Sequence, residues 1–130
     1  AAALLEAVDA AVPGPSRAHD ALVQLAKALA THTAVEDRLV YPALARSVDA
    51  QILGTGVRFL KDLRTLSAAW RLHVERWDER AIGMDWAAFA AASRTMVERL
   101  LARIAREDAE LLPMALRSGA VRLRAAEEPR

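Results

Sequence analysis

Two short pairs in this chain stand at spacings that could do chemistry. His32 and Glu36 are four apart, and so are Arg103 and Glu107; on a helix, residues at that spacing share a face. The pairs belong to a repeat. HTAVEDRLVYPALARS, from His32 to Ser47, is echoed by RIAREDAELLPMALRS, from Arg103 to Ser118. Glu36, Asp37, Pro42, Arg46 and Ser47 recur as Glu107, Asp108, Pro113, Arg117 and Ser118, while His32 is replaced by Arg103. One imidazole and two carboxylates brought together could bind a transition metal, and the donor set suits Fe, Mn or Zn without choosing among them. A guanidinium in the same place could fork both carboxylates and stay charged. The plainer readings are a hydrogen-bonded His32–Glu36 pair at a helix interface and an intrahelical Arg103–Glu107 ion pair. A repeated charged motif inside an apolar stripe predicts a site at a pseudo-symmetric core. The exchanged histidine predicts that the site is incomplete.

Composition decides what carries these residues. Apolar residues make up 54% of 130, with alanine dominant, which favours helix. Five glycines and five prolines leave few turns. The formal net charge of +1 lacks the electrostatic footprint of a nucleic-acid binder. Without cysteine there is no disulfide, thiolate metal site or thiol catalysis, which fits a cytoplasmic location. No apolar run reaches the roughly 18 residues of a membrane span, and no signal peptide is visible.

The breaks define an all-α, up-down four-helix bundle. Pro13-Gly14-Pro15 ends a first helix over 1–12, and Ser16 is positioned to cap a second helix, from Arg17 to about Arg46. Pro42 should kink that helix or end its regular ladder. Residues 48–56 read as a connection, and a third helix follows from about Val57 to Arg80. Ile82-Gly83-Met84 reads as a turn, and Asp85 caps a fourth helix, from Trp86 to Arg117 with a kink at Pro113 and a stop at Gly119. The bundle is expected to occupy 1–119, with a polar tail over 120–130. The first helix is short for its partners, and the chain lacks an initiator Met, so residues are expected upstream.

Helical periodicity places Leu22, Leu29, Glu36, Val40 and Leu44 on the buried face of the second helix. The third presents Phe59, Leu63, Leu66, Trp70, Val74 and Trp77, flanked by Asp62 and His73. The fourth presents Phe89, Ser93, Met96, Leu100, Ile104, Glu107, Leu111 and Met114. Two glutamates facing a core must be protonated, paired or metal-bound. His73 is expected to pack with Trp70 and Trp77, away from the site, and His19 to lie in solvent near its helix start.

At His32-x3-Glu36-Asp37-x3-Tyr41-Pro42-Ala43-Leu44 the chain resembles the hemerythrin-like (HHE cation-binding) family, and Glu107-Asp108-x4-Pro113 is similar to the family's fourth-helix motif. The resemblance implies a four-helix bundle with a non-haem di-iron site that binds oxygen or nitric oxide or serves iron handling. It carries over His32, Glu36 and Glu107 as metal ligands, with Asp62 as a further candidate beside Leu63, which stands at the third-helix histidine position. The chain departs from the family at Arg103, where a histidine belongs. The resemblance therefore implies iron in a mononuclear or incomplete di-iron site, with a small gas as ligand. The other reading is a metal-free bundle in which Arg103 supplies the missing charge and the domain serves as a dimerisation or protein-interaction module. Neither reading involves a membrane or nucleic acid, and neither assigns a catalytic residue. Ferritin-like chemistry is excluded, because no Glu stands three before any histidine.

Overall fold

The structure, a computed structural model, describes residues 1–10 and 14–117. Its elements are α1 (Ala2–Val8), α2 (Pro15–Val35), α3 (Tyr41–Ala45), α4 (Ala50–Arg76), α5 (Glu79–Met84), α6 (Trp86–Arg106) and α7 (Leu112–Arg117). There is no strand among the described residues. Four arms form the bundle: α1, the α2–α3 run, α4, and the α6–α7 run. α1 packs on α2 and α6, while α4 packs on α2, α3 and α6. The residues around Pro13, the stop at Gly119 and the tail over 120–130 lie outside the described residues.

Local chemistry sets the helix starts. α2 begins at Pro15, not behind Ser16: Gly14 is the N-cap and makes no side-chain cap bond. A proline at the first helical position already has the right φ, and its missing N–H would have had no partner there. α4 starts at Ala50, seven residues before the expected Val57, because the Asp49 carboxylate accepts from the Gln51 and Ile52 amides at 2.8 and 3.4 Å. Gly54 and Gly56, which read as loop residues, lie inside this helix. A Cβ at Gly56 would stand 3.4 Å from the Leu44 Cβ, an ordinary contact, so the packing of α3 on α4 does not require glycine there. α4 ends at Arg76. The expected turn at Ile82 is instead part of α5, which Asp78 caps through the Ala81 amide at 2.8 Å. Asp85 caps α6 as expected, accepting from Ala88 at 3.2 Å.

Neither long run is sharply broken at its proline. Each instead contains one π-helical stretch, Glu36–Val40 and Glu107–Leu111. Both stretches start at the repeated glutamate and end two residues before the repeated proline. The amide that closes each one, Tyr41 or Leu112, bonds the carbonyl five residues back, on Glu36 or Glu107. A proline inside a regular helix clashes with the carbonyl four residues back and lacks its own donor. One wide turn just upstream absorbs this mismatch without ending the helix.

The core falls into two buried clusters. One contains Leu4, Leu22, Trp70, Ile82, Phe89 and Val97. The other contains Val40, Tyr41, Leu44, Phe59, Leu111 and Met114. Glu36 on one run and Arg103 with Glu107 on the other stand at the junction between them, and all three are buried. Arg103 takes a core position that periodicity had given to Ile104: the arginine is 5% exposed, the isoleucine 42%. No described helix is long and apolar enough to cross a membrane.

Candidate metal centre

Three expected site residues come together. His32 comes from the last turn of α2, and Glu36 and Glu107 open the two π-helical stretches. His32 Nε2 is 2.9 Å from Glu36 Oε1 and 3.4 Å from Glu107 Oε2. One donor atom from each of the three residues fits within a 4.8 Å span. Asp62 lies elsewhere: half-exposed on α4, it pairs with Arg106 at 3.2 Å. His19 is only partly exposed and joins no cluster. Leu63 is buried among Phe59, Leu111 and their neighbours.

Arg103 closes the inner side. Its Nε donates to Glu107 Oε1 at 2.7 Å, one Nη to the Phe59 carbonyl at 2.8 Å, and the other Nη to the Tyr41 hydroxyl at 2.6 Å. That second Nη also stands 3.8 Å from Glu36 Oε2, and the guanidinium lies over the Phe59 ring, 4.9 Å from its centroid. Each carboxylate therefore turns one oxygen toward His32 and the other toward Arg103. The glutamates bridge an outer, solvent-facing imidazole and an inner, buried guanidinium: the His32 side chain is 53% exposed, that of Arg103 5%.

The electrostatics follow from burial. Desolvation, reinforced by the charge of Glu107 and a hydrogen bond to it, pushes Glu36 up to about 7 against the opposing pull of His32 and Arg103. Near neutral pH Glu36 is therefore partly protonated, which lessens the negative charge that Arg103 has to balance. Burial works against the charge on Arg103, but its bonds to Glu107 and Tyr41 outweigh it and hold the guanidinium above its ordinary value. Burial also pushes Tyr41 up to about 12, keeping its hydroxyl protonated. Glu36 Oε2 is buried with no hydrogen-bond partner.

The outer half of this arrangement offers donors for a metal. Donor atoms bound to one ion at about 2.1 Å stand roughly 3.0–3.5 Å apart, and at most about 4.2 Å: the His32–carboxylate distances of 2.9 and 3.4 Å fall at or near that range, while the full set spans 4.8 Å, so the two carboxylates would have to draw together around an ion. The donors are an imidazole nitrogen and carboxylate oxygens, and the exposed His32 gives access from solvent. The inner half does not accept a cation, because the guanidinium already sits there.

Sequence reasoning left two partners of Arg103 without a role. Tyr41 had a signal, since it lies within the His32–Leu44 motif. Phe59 had none, because it contributes a main-chain carbonyl that any residue type would supply.

Residues 1–115 match the family model described as the hemerythrin HHE cation-binding domain. No curated protein and no solved structure matches the chain. The match spans every element of the bundle up to the middle of α7 and includes both glutamate motifs. The chain belongs to the hemerythrin HHE cation-binding domain family.

Proposed function

We propose that this domain binds one transition-metal ion, with iron as the first candidate, through His32, Glu36 and Glu107, and that it serves iron handling or the sensing of a small gas from a cytoplasmic location. The observation that carries the reading is the bridging arrangement, in which both carboxylates turn an oxygen toward His32 at 2.9 and 3.4 Å. Three protein donors leave coordination positions free for water or a small ligand. Arg103 restricts the site to a single ion. A divalent ion, one guanidinium and two carboxylates sum to a net positive charge, which also lowers metal affinity relative to a site without the arginine.

A second reading has its own support. Val35 on α2, Leu39 in the π-helical stretch after it, and Leu101 and Ile104 on α6 are exposed apolar residues of the two runs that carry His32 and Arg103. With Arg103 bonded to Glu107, Tyr41 and the Phe59 carbonyl, the fold would hold together without metal, and these residues would serve a homodimer or another protein partner.

Metal analysis of the purified protein, with and without added Fe(II), separates the two. The first reading expects close to one equivalent per chain, lost in His32→Ala and Glu36→Ala. A folded protein that contains no metal and takes none up would refute it and leave the second.

A further inference from the structure

Arg103 bears on more than the number of ions that the site can hold. Its guanidinium is held from three separate elements: the Tyr41 hydroxyl on α3 at 2.6 Å, the Phe59 carbonyl on α4 at 2.8 Å, and Glu107 Oε1 in the second π-helical stretch at 2.7 Å. The Phe59 ring lies against it, 4.9 Å from centroid to Cζ. A surface arginine can swing away from an arriving cation, but this one is 5% exposed and fixed on the inner side of both carboxylates. Nor can a guanidinium give up its proton to make room for a second positive charge. A cation entering from the His32 side therefore meets a permanent charge across the two glutamates.

The repulsion from such a charge grows in proportion to the charge of the ion, and it is stronger in a buried site than in water. Two carboxylates alone neutralise a divalent ion and leave a trivalent one with a single excess charge. Arg103 takes up one carboxylate charge, so every ion carries one more excess charge than it would without the arginine. The added repulsion falls half as hard again on a trivalent ion as on a divalent one.

We propose that Arg103 is a specificity-determining residue for ion charge: it biases the site toward divalent over trivalent ions, so that iron is held there in its ferrous form. The inference rests on the metal reading above and narrows it, from iron in general to the handling of Fe(II). Arg103 acts here by its charge, and its hydrogen bonds serve to keep that charge in place.

The test uses the full chain at pH 7, titrated with Zn(II) and with Ga(III), two ions without redox chemistry, in competition with nitrilotriacetate. Both ions start from the same metal-free protein and expel the same protons. The ratio of their affinities therefore cancels the changes in folding and in carboxylate protonation that a substitution brings. In Arg103→Met the ratio of Ga(III) to Zn(II) affinity is expected to rise at least about tenfold over wild type. Arg103→Lys keeps the charge and loses the fork, and its ratio is expected to stay within about threefold of wild type. The Fe(III)/Fe(II) potential, followed by spectroelectrochemistry, is expected to lie at least about 59 mV lower in Arg103→Met than in wild type, the same tenfold expressed for one electron. Arg103→Gln replaces Arg103→Met as the neutral variant if that protein does not fold. An unchanged ratio in the neutral variant, or an equal rise in Arg103→Lys, overturns the proposal and leaves the metal reading standing. Failure of the wild type to take up Zn(II) refutes the metal reading and this inference with it.

Discussion

Replacing Arg103 with methionine tests the centre of the argument, because methionine keeps an apolar stem of similar length and removes only the guanidinium. In the wild type that group makes three buried hydrogen bonds, to Glu107, Tyr41 and the Phe59 carbonyl. The Phe59 carbonyl belongs to α4, and Tyr41 can rotate its hydroxyl, so the main loss falls on the carboxylates. Without Arg103 the buried carboxylates lose their counterion, and removing one member of a buried ion pair costs about 3–5 kcal/mol. Urea unfolding of both proteins at pH 7, with chelator present, measures the difference. Zn(II) or Mn(II) should recover part of the loss by supplying the missing charge. A loss below about 1 kcal/mol would falsify the carboxylate–guanidinium account.

Other perturbations follow from the same geometry. Glu36 is held up to about 7, so its contribution to the stability of the metal-free protein is fully present below pH 4.5 and is lost as pH rises through 7. Glu36→Gln should remove that slope in pH-dependent unfolding. Metal binding must expel the same proton, so the wild-type affinity should rise with pH and level off above about 7; competition titrations between pH 5.5 and 8 would expose a flat profile as a contradiction. Burial holds His73 below its ordinary 6.5, and its ring bonds the Ser93 hydroxyl at 3.0 Å. Its contribution is present above pH 6.5 and is lost as pH falls, so His73→Gln should remove a loss of stability below pH 6.5, opposite in sign to the slope that Glu36→Gln removes. Asp62→Ala should leave metal content unchanged and shift stability by less than about 0.5 kcal/mol, because its pair with Arg106 is half-exposed. Loss of metal in that variant would mean that the ligand set extends onto α4.

The bundle was legible because its core positions recur at helical period and its caps are chemically explicit. Phe59, Leu63, Leu66 and Trp70 are buried as periodicity required, and Asp85 caps as its side chain allows. The site residues were legible as a repeat. What periodicity missed, it missed for physical reasons. Ile104 was assigned to the core stripe because a hydrophobic pattern counts side-chain polarity and cannot see that three buried acceptors await the guanidinium of Arg103. His73 was expected to pack with Trp70 and Trp77. It meets Trp70 edge-to-face at 5.7 Å and stacks on Phe89 in near-parallel rings at 6.3 Å, with Ser93 completing the polar contact. A short polar side chain on another helix leaves no trace in the spacing around a histidine. The glycines at 54 and 56 looked like a connection because their intrinsic preference opposes helix, yet the Asp49 cap starts the helix ahead of them and carries it through.

The two prolines show why the site is built as it is. Each motif places a proline six residues after its glutamate, and each helix answers with a wide turn that begins at that glutamate. A wide turn shifts the helix phase, so residues before it and after it no longer face the same direction. That shift lets one helix present a polar residue to the site from its upstream segment, His32 or Arg103, and then return Val40 and Leu44, or Leu111 and Met114, to the apolar core. The glutamates stand where the phase changes, which is why both of their oxygens are used in different directions. Exchange of the histidine for arginine on the second motif leaves this framework intact. It changes only what each face of the carboxylate pair meets: the exposed imidazole of His32 on one side, and the permanent charge of Arg103 on the other.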